Sequence, residues 1–104
     1  MEMVFAYITT KDKAEARRIG RGLIEKKLAA CVNILDGMES YYWWEGKIDE
    51  SQEAVLIAKT EKRLIEALIE TVKTTHSYSV PCVLAIPVVA GNPDYIRWLG
   101  ENLR

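Results

Sequence analysis

Three side chains of this sequence could bind a soft metal ion. His76 is the only histidine, and Cys82 ends the segment "HSYSVPC" that begins with it. An imidazole and a thiolate together suit Cu(I) better than a hard ion, so we predict modest binding of copper or another divalent metal at His76 and Cys82. The alternative for His76 is structural, because a cationic histidine is mildly favoured near a helix C-terminus. We expect Cys31 to pack as a small apolar group.

Two more polar side chains are candidates for a ligand cleft. Lys59 ends an apolar strand just before Thr60, and its ammonium group could contact an anion at the start of a second helix. The alternative is that Lys59 simply reaches solvent from the end of the sheet. Tyr78 lies in the same segment as His76 and is assigned to the same cleft as Lys59.

We expect no catalytic activity. A single histidine without an adjacent nucleophile pattern provides no catalytic triad, and the sequence contains no Gly-rich phosphate loop. The absence of a CxxC motif argues against a structural zinc site and a metallochaperone. RNA-recognition domains stack bases on aromatic residues of their central strands, but the second of the two predicted central strands, "EAVLIAKT", has none.

Length and charge indicate one globular domain over residues 1–104, in which 49% of residues are hydrophobic. Lys plus Arg number 14 and Asp plus Glu 15, which argues against nucleic-acid binding and a polybasic membrane surface. No apolar run reaches the ~18 residues that span a bilayer. The N-terminus "MEMVFAYITT" lacks a basic region and is typical of a strand. We therefore predict a cytoplasmic protein whose cysteines are thiols.

Hydrophobic periodicity predicts a strand and then a helix in the first part of the chain. Met3–Thr9 alternates as a strand does. Asp12 and Glu15 form a possible capping box. Gly20 lies on the apolar stripe of the helix, where a missing side chain permits close approach to a sheet. The stripe itself consists of Ala16, Ile19, Leu23, Ile24 and Leu28.

The rest of the chain predicts three strands and two helices. Ala29–Leu35 is expected to be a strand that ends in a turn at Asp36-Gly37. A long hairpin with its tip at Glu45-Gly46 follows. Thr60 is a good N-cap for the second helix. After the loop "HSYSVP" and the strand "CVLAIPVV", Asn92-Pro93 predicts the start of a short C-terminal helix.

The resulting order, βαββαβ plus a C-terminal helix, is the ferredoxin-like split βαβ pattern, an α+β fold with an antiparallel sheet in the order 4-1-3-2. Strand four is then an edge strand, where Pro87 is tolerated. Cys31 and Cys82 fall on opposite edge strands, about 14 Å apart, so we expect both to stay reduced.

Both faces of this sheet are apolar, yet two helices cover only one of them. A large bare apolar face is an association site. The strand from Lys47 to Lys59 would extend roughly 43 Å, so the hairpin overhangs the sheet unless a bulge near Asp49–Ser51 bends it. Overhanging strands pair with another chain. We therefore predict a subunit interface that includes Tyr41, Tyr42, Trp43 and Trp44, because aromatic residues are enriched at interfaces.

The segments "LAACVNI", "YYWWEGKI", "HSYSVP" and "GNPDYIRWL", with Lys59-Thr60 between them, occur in the order found in the CutA (CutA1) divalent-cation tolerance proteins. The sequence resembles this family over nearly its whole length. The resemblance implies a tight homotrimer similar to the PII signalling proteins, with extended hairpins that pair between subunits. It also implies divalent-cation tolerance and binding of divalent metals, copper above all.

The sequence departs from the family at proposed metal ligands. Where members usually read "HPYEVPE", this chain has Ser77, Ser79 and Cys82 in place of Pro, Glu and Glu. Where some bacterial members have one cysteine and two histidines, it has Ile8, Thr75 and His76. Two hypotheses follow: a metal-binding tolerance protein, or a PII-like trimeric sensor or scaffold that binds a small ligand at inter-subunit clefts without intrinsic metal function.

Overall fold

The computed structural model describes residues 2–104. Eight elements follow one another along the chain: β1 (Met3–Thr10), α1 (Lys13–Glu25), β2 (Cys31–Trp44), β3 (Lys47–Glu61), a single 3-10 turn (Lys62–Leu64), α2 (Ile65–Thr75), β4 (Val83–Pro87) and α3 (Pro93–Glu101). The predicted α+β class and the order βαββαβ plus a C-terminal helix are confirmed.

The four strands form one antiparallel sheet in the order β2-β3-β1-β4, which is the predicted order read from the other edge. Pro87 ends the edge strand β4 opposite Val4, where its missing N–H costs no inner ladder bond. Cys31 begins the other edge strand, and Cys82 directly precedes β4. Both are free thiols.

Helix α1 begins at the predicted cap. The Asp12 carboxylate accepts a hydrogen bond from the Glu15 N–H at 2.8 Å, and Glu15 Oε1 accepts one from the Lys11 N–H at 3.0 Å. The helix ends at Glu25, earlier than the apolar stripe indicated, because Lys27 takes a left-handed conformation with φ 55°. Leu28 is still buried, but from the loop that follows the helix.

Two predicted breaks in the strands are wrong, because strand pairing extends past them. Asp36-Gly37 forms a bulge within β2, since β2 keeps β3 as its partner on both sides of it. The register shows no bulge at Asp49–Ser51. Thr60 does not cap a helix: it is fully buried within β3 and pairs with Val4 of β1. The glycine-containing tip at Glu45-Gly46 is confirmed, with φ values of 51° and 78°.

Helices α1 and α2 cover one face of the sheet, where the core is fully buried around Ala6, Ile8 and Leu56. Gly20 permits this contact, because a Cβ there would lie 3.0 Å from Leu56 Cδ1. We call the other surface the open face; it carries Phe5, Tyr7, Val55, Ile57, Lys59, Leu84 and Ile86. Helix α3 covers one end of it, but Leu84 and Ile86 remain 59% and 49% exposed.

The β2–β3 hairpin extends beyond the rest of the sheet. Pairing of β3 with β1 begins at Ala54, opposite Thr10, so the segment 38–53, which we call the arm, lacks a third strand. The molecule is accordingly 45 Å long and only 25 by 22 Å across. Tyr41, Tyr42, Trp43 and Trp44 all lie on the arm and are exposed in the single chain. Over residues 2–104, no helix is long and apolar enough to cross a membrane.

Candidate ligand groove and histidine loop

The segment 76–82 between α2 and β4, here the histidine loop, is fixed to β1 by its imidazole. The His76 side chain is fully buried. Its Nδ1 accepts a hydrogen bond from the Tyr78 N–H at 3.0 Å, so the ring proton is assigned to Nε2, which donates to the Thr9 carbonyl oxygen at 2.8 Å. Both ring nitrogens are therefore engaged in the fold.

A buried carboxylate on α1 holds the same loop. Glu15 Oε2 accepts a hydrogen bond from the Ser77 N–H at 2.8 Å. Arg18 Nη2 lies 3.4 Å from the same carboxylate oxygen. Burial raises the pKa of Glu15, but hydrogen bonds from Lys11 and Ser77 and the nearby His76 outweigh burial and lower it overall. Glu15 is thus ionised at neutral pH and fixes the start of the loop.

Tyr78 connects the histidine loop to the arm. Its hydroxyl group donates a hydrogen bond to Glu53 Oε2 at 2.8 Å. Burial, and then the hydrogen bond and charge of Glu53, raise the pKa of Tyr78 well above its usual value of 10.0. The phenol therefore stays protonated and donates to Glu53 at all physiological pH values.

A groove of about 580 Å³ opens between the arm and the histidine loop. Strand alternation places Tyr42, Trp44, Asp49 and Glu53 on the open-face side of the arm. The residues that line the groove are Thr9, Glu39, Ser40, Tyr41, Tyr42, Trp44, Asp49, Glu53, Tyr78, Ser79, Val80 and Cys82. The lining includes no Lys, Arg or His, so the groove is an acidic, aromatic surface.

The two candidates for a ligand cleft lie apart. Tyr78 lines the groove, whereas Lys59 follows Glu53 by six positions along β3, roughly 20 Å in an extended strand. The Lys59 ammonium donates to Tyr95 Oη at 3.3 Å and lies 5.8 Å from the Phe5 ring centroid. Within one chain, Lys59 and Tyr78 do not share a groove.

The four consecutive aromatic residues divide between two surfaces. Tyr42 and Trp44 face the groove and are 39% and 47% exposed, whereas Tyr41 and Trp43 are 66% and 73% exposed. The outer surface of the arm also carries Ile48, opposite Trp43. The arm therefore presents apolar surface on both sides, which no segment of the described chain covers.

The side chains proposed for metal binding do not form a closed site within one chain. Cys82 lines the groove, but His76 does not, and its nitrogens already have partners. The part of the chain that the structure describes contains no group of three His, Cys, Asp or Glu residues placed to hold a metal ion. The pairing of His76 with Cys82 stays a prediction.

Sequence reasoning missed Glu53 and understated Glu15. Glu53 belongs to the charged end of "DESQEAVLIAKT", where the sequence predicts an exposed side chain. In the structure Glu53 is only 8% exposed. Glu15 was recognised only as a capping residue, although it also anchors Ser77. One signal was available: alternation places Glu53 on the same side of the strand as Val55 and Ile57.

The family described as CutA1 divalent ion tolerance protein matches residues 4–102. "Protein CutA 1, chloroplastic" of Oryza sativa is 46% identical over 101 residues, which are 97% of this chain and 57% of that protein. This chain thus spans little more than half the length of that relative.

Solved structures agree in fold. The crystal structure of CutA1 from Oryza sativa has a TM-score of 0.97 at 44% identity and covers 100% of this chain and 95% of that one. The structure of the periplasmic divalent cation tolerance protein CutA from Archaeoglobus fulgidus has a TM-score of 0.95 at 42% identity, with 98% and 99% covered. The chain belongs to the CutA1 divalent ion tolerance family.

Proposed function

We propose that this protein functions in divalent-cation tolerance as a homotrimer of the CutA type. The observation that carries the proposal is the family match over residues 4–102. It is supported by 42% identity to the divalent cation tolerance protein CutA of Archaeoglobus fulgidus. The crystal structure from Oryza sativa matches 100% of this chain at a TM-score of 0.97 and the Archaeoglobus fulgidus structure 98% at 0.95, so the fold is shared along nearly the whole chain, the arm included.

The uncovered surface of the single chain supports the trimer. Leu84 and Ile86 on the open face, together with Tyr41 and Trp43 on the arm, are at least 49% exposed. An exposed apolar surface of this extent is typical of an interface. We propose that Tyr41, Tyr42, Trp43 and Trp44 pack between subunits and that the arm edges pair with a neighbouring chain.

The tolerance role is tested in a host whose own CutA gene is deleted. Expression of this chain should restore growth in copper, zinc or cadmium to the level given by the host's own gene. A matched control expresses Trp43→Asp, which places a charge in the proposed interface. Failure of the parent to restore growth with every metal, at equal protein level, would contradict the tolerance role.

Metal contact is proposed at Cys82 and His76, with copper or another divalent metal. Cys82 faces the groove, whereas His76 would have to give up a hydrogen bond to Thr9 or Tyr78. Any tight site must therefore gather donors from more than one subunit. In competition with a Cu(I) chelator, Cys82→Ser should weaken binding, and Cys31→Ser is the matched control. Equal affinity in the parent, Cys82→Ser and His76→Ala would remove both residues from the site.

A PII-like sensor or scaffold that binds a small ligand at inter-subunit clefts is the second candidate. The observation that favours it is the groove of about 580 Å³, which is within the range of small-molecule sites. A titration panel of metals, small anions and nucleotides separates the two functions, because only the sensor binds an organic ligand with no metal present. We propose no catalytic activity, no nucleic-acid or membrane partner, and a cytoplasmic location.

A further inference from the structure

One dipeptide of this chain joins two residue types that react with each other. Of the aspartates in the sequence, only Asp36 precedes a glycine, and no asparagine does. An Asp-Gly pair can isomerise without an enzyme, because the glycine backbone nitrogen attacks the carboxyl carbon of the aspartate side chain. Glycine has no Cβ to hinder this approach. Whether the reaction occurs in a folded protein therefore depends on the backbone around the pair.

The structure holds the reacting groups of Asp36 and Gly37 in contact. The Gly37 N–H donates to Asp36 Oδ1 at 2.8 Å, so the nitrogen lies beside the carboxyl group that it must attack. Both residues are exposed, and a Cβ built on Gly37 would have no atom within 4 Å. Contact between two groups of one chain favours their reaction, and the open space leaves room for a ring to close.

The bulge also releases this part of β2 from strict strand pairing. The register of β2 on β3 is continuous up to Leu35 and resumes at Met38, so Asp36 and Gly37 have no partners in it. Segments with few constraints open locally at a low cost in free energy. The backbone rotation that ring closure requires therefore leaves the strand pairs on both sides of the bulge intact.

The reacting carboxyl group does not lie on the surfaces that we assign to subunit contact. Asp36 Oδ2 is 3.9 Å from Lys13 Nζ of α1, and α1 covers the sheet face opposite the open face. The arm begins only at Met38. A trimer built through the open face and the arm leaves this carboxyl group on the α1 side of the sheet.

We propose that Asp36-Gly37 is a site of spontaneous isoaspartate formation. Gly37 N bonds to Asp36 Cγ, and the N–H proton leaves with the carboxyl OH as water, which closes a five-membered succinimide ring. Water then adds to the main-chain carbonyl carbon of Asp36, and the bond from that carbon to Gly37 N breaks. The chain now continues through Cγ, the former carbonyl becomes a free carboxylate, and no atom changes oxidation state. This inference is independent of the function proposed above.

Asp49 provides a comparison within the same hairpin. It has a similar contact, because the Glu50 N–H donates to Asp49 Oδ1 at 2.9 Å. Glu50, however, carries a side chain and pairs with Tyr41 in the register. We therefore expect Asp36 to isomerise much faster than Asp49.

The test is incubation of the intact protein at physiological temperature and neutral pH, followed by tryptic digestion. Electron-transfer dissociation in a mass spectrometer then distinguishes isoaspartate from aspartate. Trypsin yields peptide 28–47, whose only aspartate is Asp36, and peptide 48–59, which contains Asp49. Because the bulge opens at little cost, isoaspartate at Asp36 should form within about tenfold of its rate in synthetic peptide 28–47, and at least about tenfold faster than at Asp49. A slower reaction at Asp36, or a smaller difference from Asp49, would overturn the proposal.

Two variants test the ring itself. Asp36→Asn closes the same succinimide with loss of ammonia, so isoaspartate should appear faster than in the parent. Asp36→Glu keeps a charge near Lys13 but needs a six-membered ring, so it should stay unchanged. An Asp36→Asn protein that stays intact would show that the folded backbone does not reach the ring geometry. Isoaspartate found only in samples that have lost their native circular dichroism spectrum would equally contradict the proposal.

Discussion

Replacement of Gly20 by alanine tests how closely α1 packs on the sheet. The added Cβ would lie 3.0 Å from Leu56 Cδ1 and 3.2 Å from Val32 Cγ2, closer than the optimal ~3.5–4.0 Å between carbon atoms. Leu56 is fully buried, so its side chain can shift only against other atoms of a close-packed core, and Val32 is stiff at χ1 because it is β-branched.

The magnitude is the difference between two opposing terms. Overpacking of a core costs about 1–3 kcal/mol, whereas Gly to Ala in a helix interior gains about 1 kcal/mol. Gly20→Ala should therefore lower the free energy of unfolding by up to about 2 kcal/mol. Gly22→Ala lies on the same helix with nothing within 4 Å of its Cβ, so it should raise that free energy by about 1 kcal/mol.

The assay is urea unfolding followed by circular dichroism at one protein concentration, because assembly makes stability concentration-dependent. Gly22→Ala should exceed Gly20→Ala by about 1–3 kcal/mol in the free energy of unfolding. Values for the two variants that agree within about 0.5 kcal/mol, the scale of an ordinary surface change, would refute the close contact between α1, Leu56 and Val32.

Two further predictions concern the arm and the histidine loop. If the Trp43 ring is buried between subunits, Trp43→Ala should lower the free energy of unfolding by about 3–5 kcal/mol. Iodide should then quench the tryptophan fluorescence of the parent only weakly. A loss below about 0.5 kcal/mol would place Trp43 in solvent. Folding lowers the pKa of Glu15 from about 4.5. The ionised Glu15 side chain therefore stabilises the fold fully above pH 4.5, and this contribution is lost as the pH falls through the pKa that Glu15 has in the folded state. Glu15→Gln should therefore flatten the loss of stability in acid, and acid unfolding curves of equal steepness would contradict this assignment.

Pattern and turn chemistry predicted most of the fold. The cap at Asp12, the hairpin tip at Glu45-Gly46 and the start of α3 at Asn92 each depend on neighbouring residues only, and each is confirmed. The errors at Asp36-Gly37 and Thr60 share a cause. Local signals for a turn and a helix cap are overridden there by pairing with another strand, and a single segment does not reveal its partner.

The candidate site was less predictable than the fold. His76, Tyr78 and Cys82 were chosen from one segment, but the structure divides them: His76 points to β1, and the other two line the groove. The contact between Tyr78 and Glu53 joins residues 25 positions apart. No periodicity predicts such a hydrogen bond, since it depends on how the histidine loop crosses the end of β1.

The most direct test of the account is the mass of the dilute protein by sedimentation equilibrium. The open face and the two-sided apolar arm are uncovered in the single chain. If the proposed homotrimer covers them, the mass is three times the 11.8 kDa of one chain and persists at low concentration. A mass of 11.8 kDa, with the arm still exposed, would contradict the trimer and every inference that depends on it.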